Sequence, residues 1–192
     1  MGTTQPIRNK NDIKKLKQYF IVNGEIRNYA IVTLGFNTSI RIGDLLNLRW
    51  GDVYFFGANR YFEHMRIIER KTNKLTIIPL NKEVIIALDM LKESEQHIEE
   101  QDYLFKGRSK INKPLSRTQA YRIIKCATKE LNMEGNISCH SLRKTFGYHA
   151  WKQGTPPAVI MSIYNHSSLE VTKRYLSIDQ EDKDEVFMNI NL

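Results

Sequence analysis

Apolar positions recur at helical spacing through most of the chain and switch to alternation in one short stretch, and that switch divides the sequence. From Asn11 the positions Ile13, Leu16 and Tyr19-Phe20 lie three or four apart until Gly24 stops them, which predicts a first helix. Ile26, Tyr29, Ala30, Thr33 and Leu34 predict a second from Glu25. Asn37-Thr38-Ser39 then supplies cap residues for a short third helix holding Arg41, Asp44, Leu45 and Leu48. After Trp50-Gly-Asp52 the residues turn β-branched and aromatic. Val53–Phe56, Tyr61–Ile68 and Lys74–Ile78 read as three short strands, with Gly57, Asn59 and Asn73 as turn formers and Arg70–Lys74 as a basic hairpin tip. Past Pro79 the helical spacing returns over residues 82–98 through Val84, Ile85, Leu88 and Leu91, with a solvated acidic end from Glu93 to Asp102. A helix entered through Pro114-Leu-Ser116 turns Tyr121, Ile124 and Leu131 inward. Three more follow: His140 to Lys152, one through Val159, Ile160 and Ile163, and one capped by Ser167-Ser168 that carries Tyr175.

A length of 192 residues with 41% hydrophobic content fits one domain with a core of its own. Residues 1–9 read as a polar lead-in set aside from the fold, residues 10–178 as the domain, and 179–192 as a C-terminal tail, acidic first and apolar last at Val186, Phe187, Ile190 and Leu192. The net charge of +8 is spread along the chain and favours an anionic partner, nucleic acid first. No apolar run reaches the length of a membrane span and no signal-peptide core precedes Asn11, so the expected location is cytoplasmic and DNA-associated, with no membrane partner. Cys126 and Cys139 form no disulfide framework or metal-ligand spacing and read as small buried side chains. A basic loop from Lys106 to Lys113 feeds a helix with Arg117, Arg122 and Lys125 outward. That pattern suits a groove of DNA, or simply a solvated face. Lys74, Lys110 and Lys113 join those three as candidate DNA contacts.

The candidate chemistry starts from His140-Ser-Leu-Arg143, which sets an imidazole and a guanidinium on one helical face. Metal-free cleavage of a phosphodiester needs a nucleophile, fixed positive charge around phosphorus, and an acid for the departing oxygen. Tyr175, Arg41, Arg143, Lys71, His140 and His166 offer all three, arginine being suited to phosphate by its forked donors. Singly, each has a plainer reading. Tyr175 reads as a packing residue, Arg41 as a partner of Asp44, His140 as a cap, His166 as a turn residue and Lys71 as an exposed lysine.

Taken in order, however, the sequence resembles the catalytic domain of the tyrosine recombinases, or phage integrase family. The matching pieces are Thr38 to Val53 around Arg41, the strand-turn-strand with Lys71-Thr-Asn-Lys74 and a following Ile-Pro-Leu, His140-Ser-Leu-Arg143, and His166 with Tyr175 nine positions on. The departures are Ser39 and Asn165, where such enzymes usually carry glycine. The resemblance implies a mainly α fold with a small three-stranded antiparallel sheet (α+β), in agreement with the elements above. It also implies that Arg41, Arg143 and His166 hold the scissile phosphate while Tyr175 attacks it to give a 3′-phosphotyrosine. Lys71 would then be the general acid, His140 would assist proton transfer, and Asp44 would orient Arg41. No metal or cofactor is implied, and the partner is double-stranded DNA, bound by a homo-oligomer (a tetramer in synapsis) that is monomeric when free. The family's usual N-terminal core-binding domain does not match any part of the chain, which predicts fewer phosphate contacts for this chain alone. A type IB topoisomerase-like nicking and closing enzyme, or a non-catalytic DNA-binding accessory protein of the same fold, are the alternatives.

Overall fold

A computed structural model describes residues 4–107, 112–178 and 187–190. Its centre is a helix buried on nearly every side, α2 (Ile26–Thr38), packed against α1 (Lys10–Val22), α5 (Lys82–Glu93) and α7 (Cys139–Lys152). Because neighbours surround it, α2 carries buried residues almost without interruption from Asn28 to Phe36 instead of a single stripe. Two one-turn helices, α3 (Ile42–Leu45) and α4 (Trp50–Val53), lead to the strands, and α6 (Arg117–Glu130) packs between α1 and α7. Local caps fix the boundaries: Asn9 accepts from the Asn11 amide, Asn81 from Val84, and Ser116 exchanges bonds with Gln119 at the start of α6.

The strands are small and antiparallel, pairing as two ribbons. β1 (Tyr54–Phe55) pairs with β2 (Arg60–Tyr61), and β3 (His64–Ile68) pairs with β4 (Leu75–Pro79). The stretch expected as one strand from Tyr61 to Ile68 is interrupted at Phe62 and Glu63. The Phe62 amide turns to the Val53 carbonyl and the Glu63 carbonyl accepts from Leu80, so the chain changes partner there. Helix α5 stops at Glu93 with Ser94 as its cap, short of the expected 98. Glu93, Glu95, Glu99 and Glu100 would load negative charge onto the negative end of the helix dipole.

Three expectations about burial are corrected. The lead-in belongs to the fold from Thr4 onward: Ile7 is 3% exposed and its amide donates to Thr145 Oγ1 at 2.8 Å. Lys144 Nζ donates to the Thr4 carbonyl at 2.6 Å and Arg8 to the Ser177 carbonyl at 2.8 Å, strapping the segment across α7. Pro6-Ile7 is an apolar pair too short to show a period. Tyr121, expected inward, is 48% exposed, and Cys126 is exposed while Cys139 is buried. The tail residues Val186 and Leu192 lie outside the described residues, whereas Phe187, Met188 and Ile190 are exposed. No helix among the described residues is long and apolar enough to cross a membrane.

Candidate active site

The last two helices, α8 (Pro157–Tyr164) and α9 (Leu169–Leu176), pack on α7 through a small core of their own. It consists of Ile160, Tyr164 and Leu176, backed by Phe146, Trp151 and Tyr175. Gly147 lets α7 approach this closely, since a side chain there would collide with the Tyr164 hydroxyl and Leu176. Tyr175 is thereby held on the face of α9 turned toward α7 and α8, half-buried.

Around its ring stand His166 at 5.1 Å, edge-on, Tyr164 at 5.3 Å, and the Lys144 ammonium at 5.2 Å. His166 Nδ1 lies 3.0 Å from Thr172 Oγ1 one helix turn before the phenol, which fixes the ring and leaves Nε2 for a ligand. Arg143 is 4% exposed, hydrogen-bonded to the Ser39 carbonyl, and stacked 4.7 Å over Tyr164, within reach of the Tyr175 phenol. Burial pushes the Tyr175 phenol above its ordinary value, with Arg143 and then Arg41 pulling against it.

Arg41 enters from the start of α3, its Nη1 2.6 Å from Glu69 Oε2, held more by charge than by a well-aligned hydrogen bond. This corrects the expected orienting partner. Asp44 instead accepts the Arg70 amide at 3.1 Å and so anchors the hairpin tip, while the buried carboxylate against Arg41 is Glu69, which sequence reasoning missed. Lys71, at that tip, is exposed and lines an open cleft of about 1030 Å³ together with Arg41, His140, Arg117 and Tyr121. His140 and Arg143 do share α7, His140 at the cleft, exposed as a residue but with its imidazole partly desolvated by the cleft wall, and Arg143 buried beneath it. Of the other candidate DNA contacts, Lys74 reaches Asn165 Oδ1 at 3.1 Å and Lys113 is exposed. Arg122 lines a separate groove beside Arg27 and Lys106, Lys125 is bonded to Asn136 at 2.7 Å, and Lys110 lies outside the described residues.

Both departures from the glycine pattern fall at left-handed backbone. Ser39 caps α2 at φ 55° and Asn165 caps α8 at φ 55°. Asparagine tolerates this region, but serine pays the Cβ clash that glycine avoids. Ser39→Gly is therefore expected to stabilise the chain by about 1 kcal/mol, raising Tm by about 2–4 °C in thermal denaturation. Arg143 bonds only the backbone carbonyl there, so its position should be kept.

The histidines give a pH signature. Burial, then Lys144, Arg143, Arg41 and Lys71, hold the His140 imidazole below its ordinary value, and burial, then Arg143 and Arg41, do the same for His166. Burial also lowers His149, whose ring contacts the Ile7 carbonyl. All three take a proton less readily folded than unfolded. Stability present above the ordinary value of 6.5 is therefore lost as pH falls through it toward the lower folded-state values. Tm should drop between about pH 7.5 and about pH 5.5, and drop less in His149→Gln; a flat Tm over that window would contradict neutral imidazoles. Glu69 and Glu83, held below 4.5, titrate outside it.

Comparison with known proteins gives the family of the chain. Residues 9–182 match the profile of the Phage integrase family. A probable integrase/recombinase, YoeC of Bacillus subtilis, is 38% identical over 185 residues, covering 94% of this chain and 93% of YoeC. A tyrosine recombinase of Pseudothermotoga lettingae is 29% identical over 173 residues, covering 90% of this chain but 56% of its own length. Among solved structures, the XerH site-specific recombinase bound to a palindromic difH substrate superposes with a TM-score of 0.75 at 17% identity, over 98% of this chain and 54% of XerH. The chain thus spans nearly all of YoeC and a little over half of the other two.

Proposed function

The chain belongs to the phage integrase family, the tyrosine recombinases, and from that premise we propose that it cuts and rejoins double-stranded DNA at specific sites through a 3′-phosphotyrosine. Tyr175 is the nucleophile: its oxygen bonds to phosphorus as the bond from phosphorus to the 5′-oxygen breaks. Arg41, Arg143 and His166 hold the non-bridging oxygens and gather the charge that builds on them. Lys71 protonates the departing 5′-oxygen, and His140 helps relay the phenol proton. A 5′-hydroxyl from another strand then reverses the step, conserving the bond energy.

The observation that carries this reading is the convergence of one half-buried phenol with a buried arginine and an edge-on imidazole, beside a cleft that holds a second arginine and a hairpin lysine. Burial supports the electrostatics, since charge-assisted bonds to phosphate gain strength where water is excluded. The YoeC likeness favours recombination over the nicking-closing reading. The partner is duplex DNA, as for XerH, whose structure holds its difH substrate. The chain is cytoplasmic, monomeric when free, and tetrameric in synapsis, with the exposed apolar residues Phe187, Met188 and Ile190 available for contact with a neighbouring copy. The test is a duplex carrying a nick beside the cleavage point, which lets the short cleaved strand diffuse away and traps the covalent adduct.

A further inference from the structure

Glu69 is a charged residue in a place that elementary physical chemistry penalises. It follows β3 directly, is 3% exposed, and remains a carboxylate. Burial works to raise its pKa, but the Thr72 hydroxyl and the Arg41 guanidinium outweigh burial and hold it below the ordinary value. One oxygen, Oε2, takes both partners: Arg41 Nη1 at 2.6 Å and the Thr72 hydroxyl at 2.6 Å. The Glu69 backbone closes the same turn, its amide donating to the Lys74 carbonyl at 2.9 Å and its carbonyl accepting from Asn73 at 2.8 Å. Lys71 rides on the turn so closed, next to Thr72.

Neutralising Arg41 alone would need a carboxylate and nothing more. Here the oxygen that orients Arg41 also pins the residue beside Lys71, so neither group can shift without the other. We propose that Glu69 is a positioning residue that sets the phosphate-binding arginine and the hairpin lysine relative to each other, coupling phosphate capture to protonation of the leaving oxygen. The inference rests on the roles given above to Tyr175, Arg41 and Lys71. A buried carboxylate also moderates the repulsion between Arg41 and Arg143, both of which act on it electrostatically.

Two variants separate the parts. Glu69→Gln keeps the shape and an acceptor for Thr72 but removes the charge, and Thr72→Val keeps the Glu69–Arg41 pair but cuts the link to the turn. Adduct formation is followed in single turnover on the nicked duplex, with either oxygen or sulfur at the 5′-bridging position. Sulfur leaves as a thiolate and does not require the acid. On the oxygen substrate Glu69→Gln should slow adduct formation about 10–100-fold, a misplacement effect, with DNA affinity held within about twofold. Sulfur should restore Lys71→Ala and Thr72→Val fully and Glu69→Gln in part, because only the lysine side of its defect is bypassed. A simple packing defect is blind to the leaving atom. Glu69→Gln at the wild-type rate, or slowed with no relief by sulfur, overturns the coupling; if Glu69→Gln fails to fold, Thr72→Val decides, and a Thr72→Val rate on oxygen equal to wild type overturns it. Loss of the adduct in the wild type, or its survival in Tyr175→Phe, strikes the underlying roles instead.

Discussion

Tyr175→Phe abolishes the covalent protein–DNA adduct on a nicked duplex while leaving the fold and DNA binding in place. The substitution deletes one oxygen from a ring that is already packed against Tyr164 and His166, so the small core of α7, α8 and α9 keeps its contacts. The expectation is sharp because a second phenol stands 5.3 Å away, ring to ring, under the same arginine. Tyr164 is 1% exposed and its hydroxyl donates to the Arg143 carbonyl at 2.6 Å, and burial drives its pKa far upward. Its proton is committed to the backbone and its oxygen has no path to DNA. Tyr175 is half-exposed, and Arg143 and Arg41 favour its phenolate against the effect of burial. Tyr164→Phe should accordingly keep the adduct and instead lower stability, by about 1 kcal/mol for the lost buried hydrogen bond to the Arg143 carbonyl. An undiminished adduct in Tyr175→Phe, by denaturing gel of labelled DNA, removes the nucleophile assignment.

Tyr175, His166 and Arg143 could be singled out only through the family resemblance, since singly each has a plainer reading; the structure brings the three together where α8, a turn and α9 fold back on α7. Glu69 was not legible, because a glutamate at a hairpin tip ordinarily points to water. One signal was available: Met65, Ile67 and Glu69 are in phase, and the first two are buried at 0% and 8% exposure, so the third had to go inward. Asp44 was misread for the converse reason. Three positions after Arg41 it lies on the same short helix, but its carboxylate is used by the Arg70 amide of a segment distant in sequence. Long-range bonds of this kind leave no period behind. The same holds for the lead-in, where Thr4 and Ile7 meet side chains of α7 about 140 positions away, and for Lys125, whose amine turns back to Asn136 despite its place in a basic helix. The break at Phe62 and Glu63 also escaped, since four apolar or aromatic residues nearby keep the alternation ambiguous.

Arg143→Lys keeps the charge and loses the fork, and should cost more than any substitution in the cleft other than that of Tyr175. The guanidinium serves three surfaces at once: the Ser39 carbonyl at the left-handed end of α2, the Tyr164 ring, and the site occupied by the phenol. An ammonium is a compact donor that cannot span them, so it can keep the backbone carbonyl or face the phosphate, not both. Removing one preorganised donor from a developing oxyanion costs about 10²–10³ in rate, and the expected loss of adduct formation is in that range. Stability should fall as well, by about 1–3 kcal/mol, since a buried carbonyl and a buried cation lose part of their satisfaction. The two effects separate by measurement: Tm reports the Ser39 contact, while single-turnover cleavage at a temperature well below the variant's own Tm reports the phosphate contact. Binding adds a third readout, because deleting one phosphate contact lowers the slope of log affinity against log salt by about one. A variant that is destabilised yet cleaves at the wild-type rate assigns Arg143 to the fold alone. A variant that is stable, binds with a shallower salt slope and cleaves hundreds of times more slowly assigns it to the phosphate.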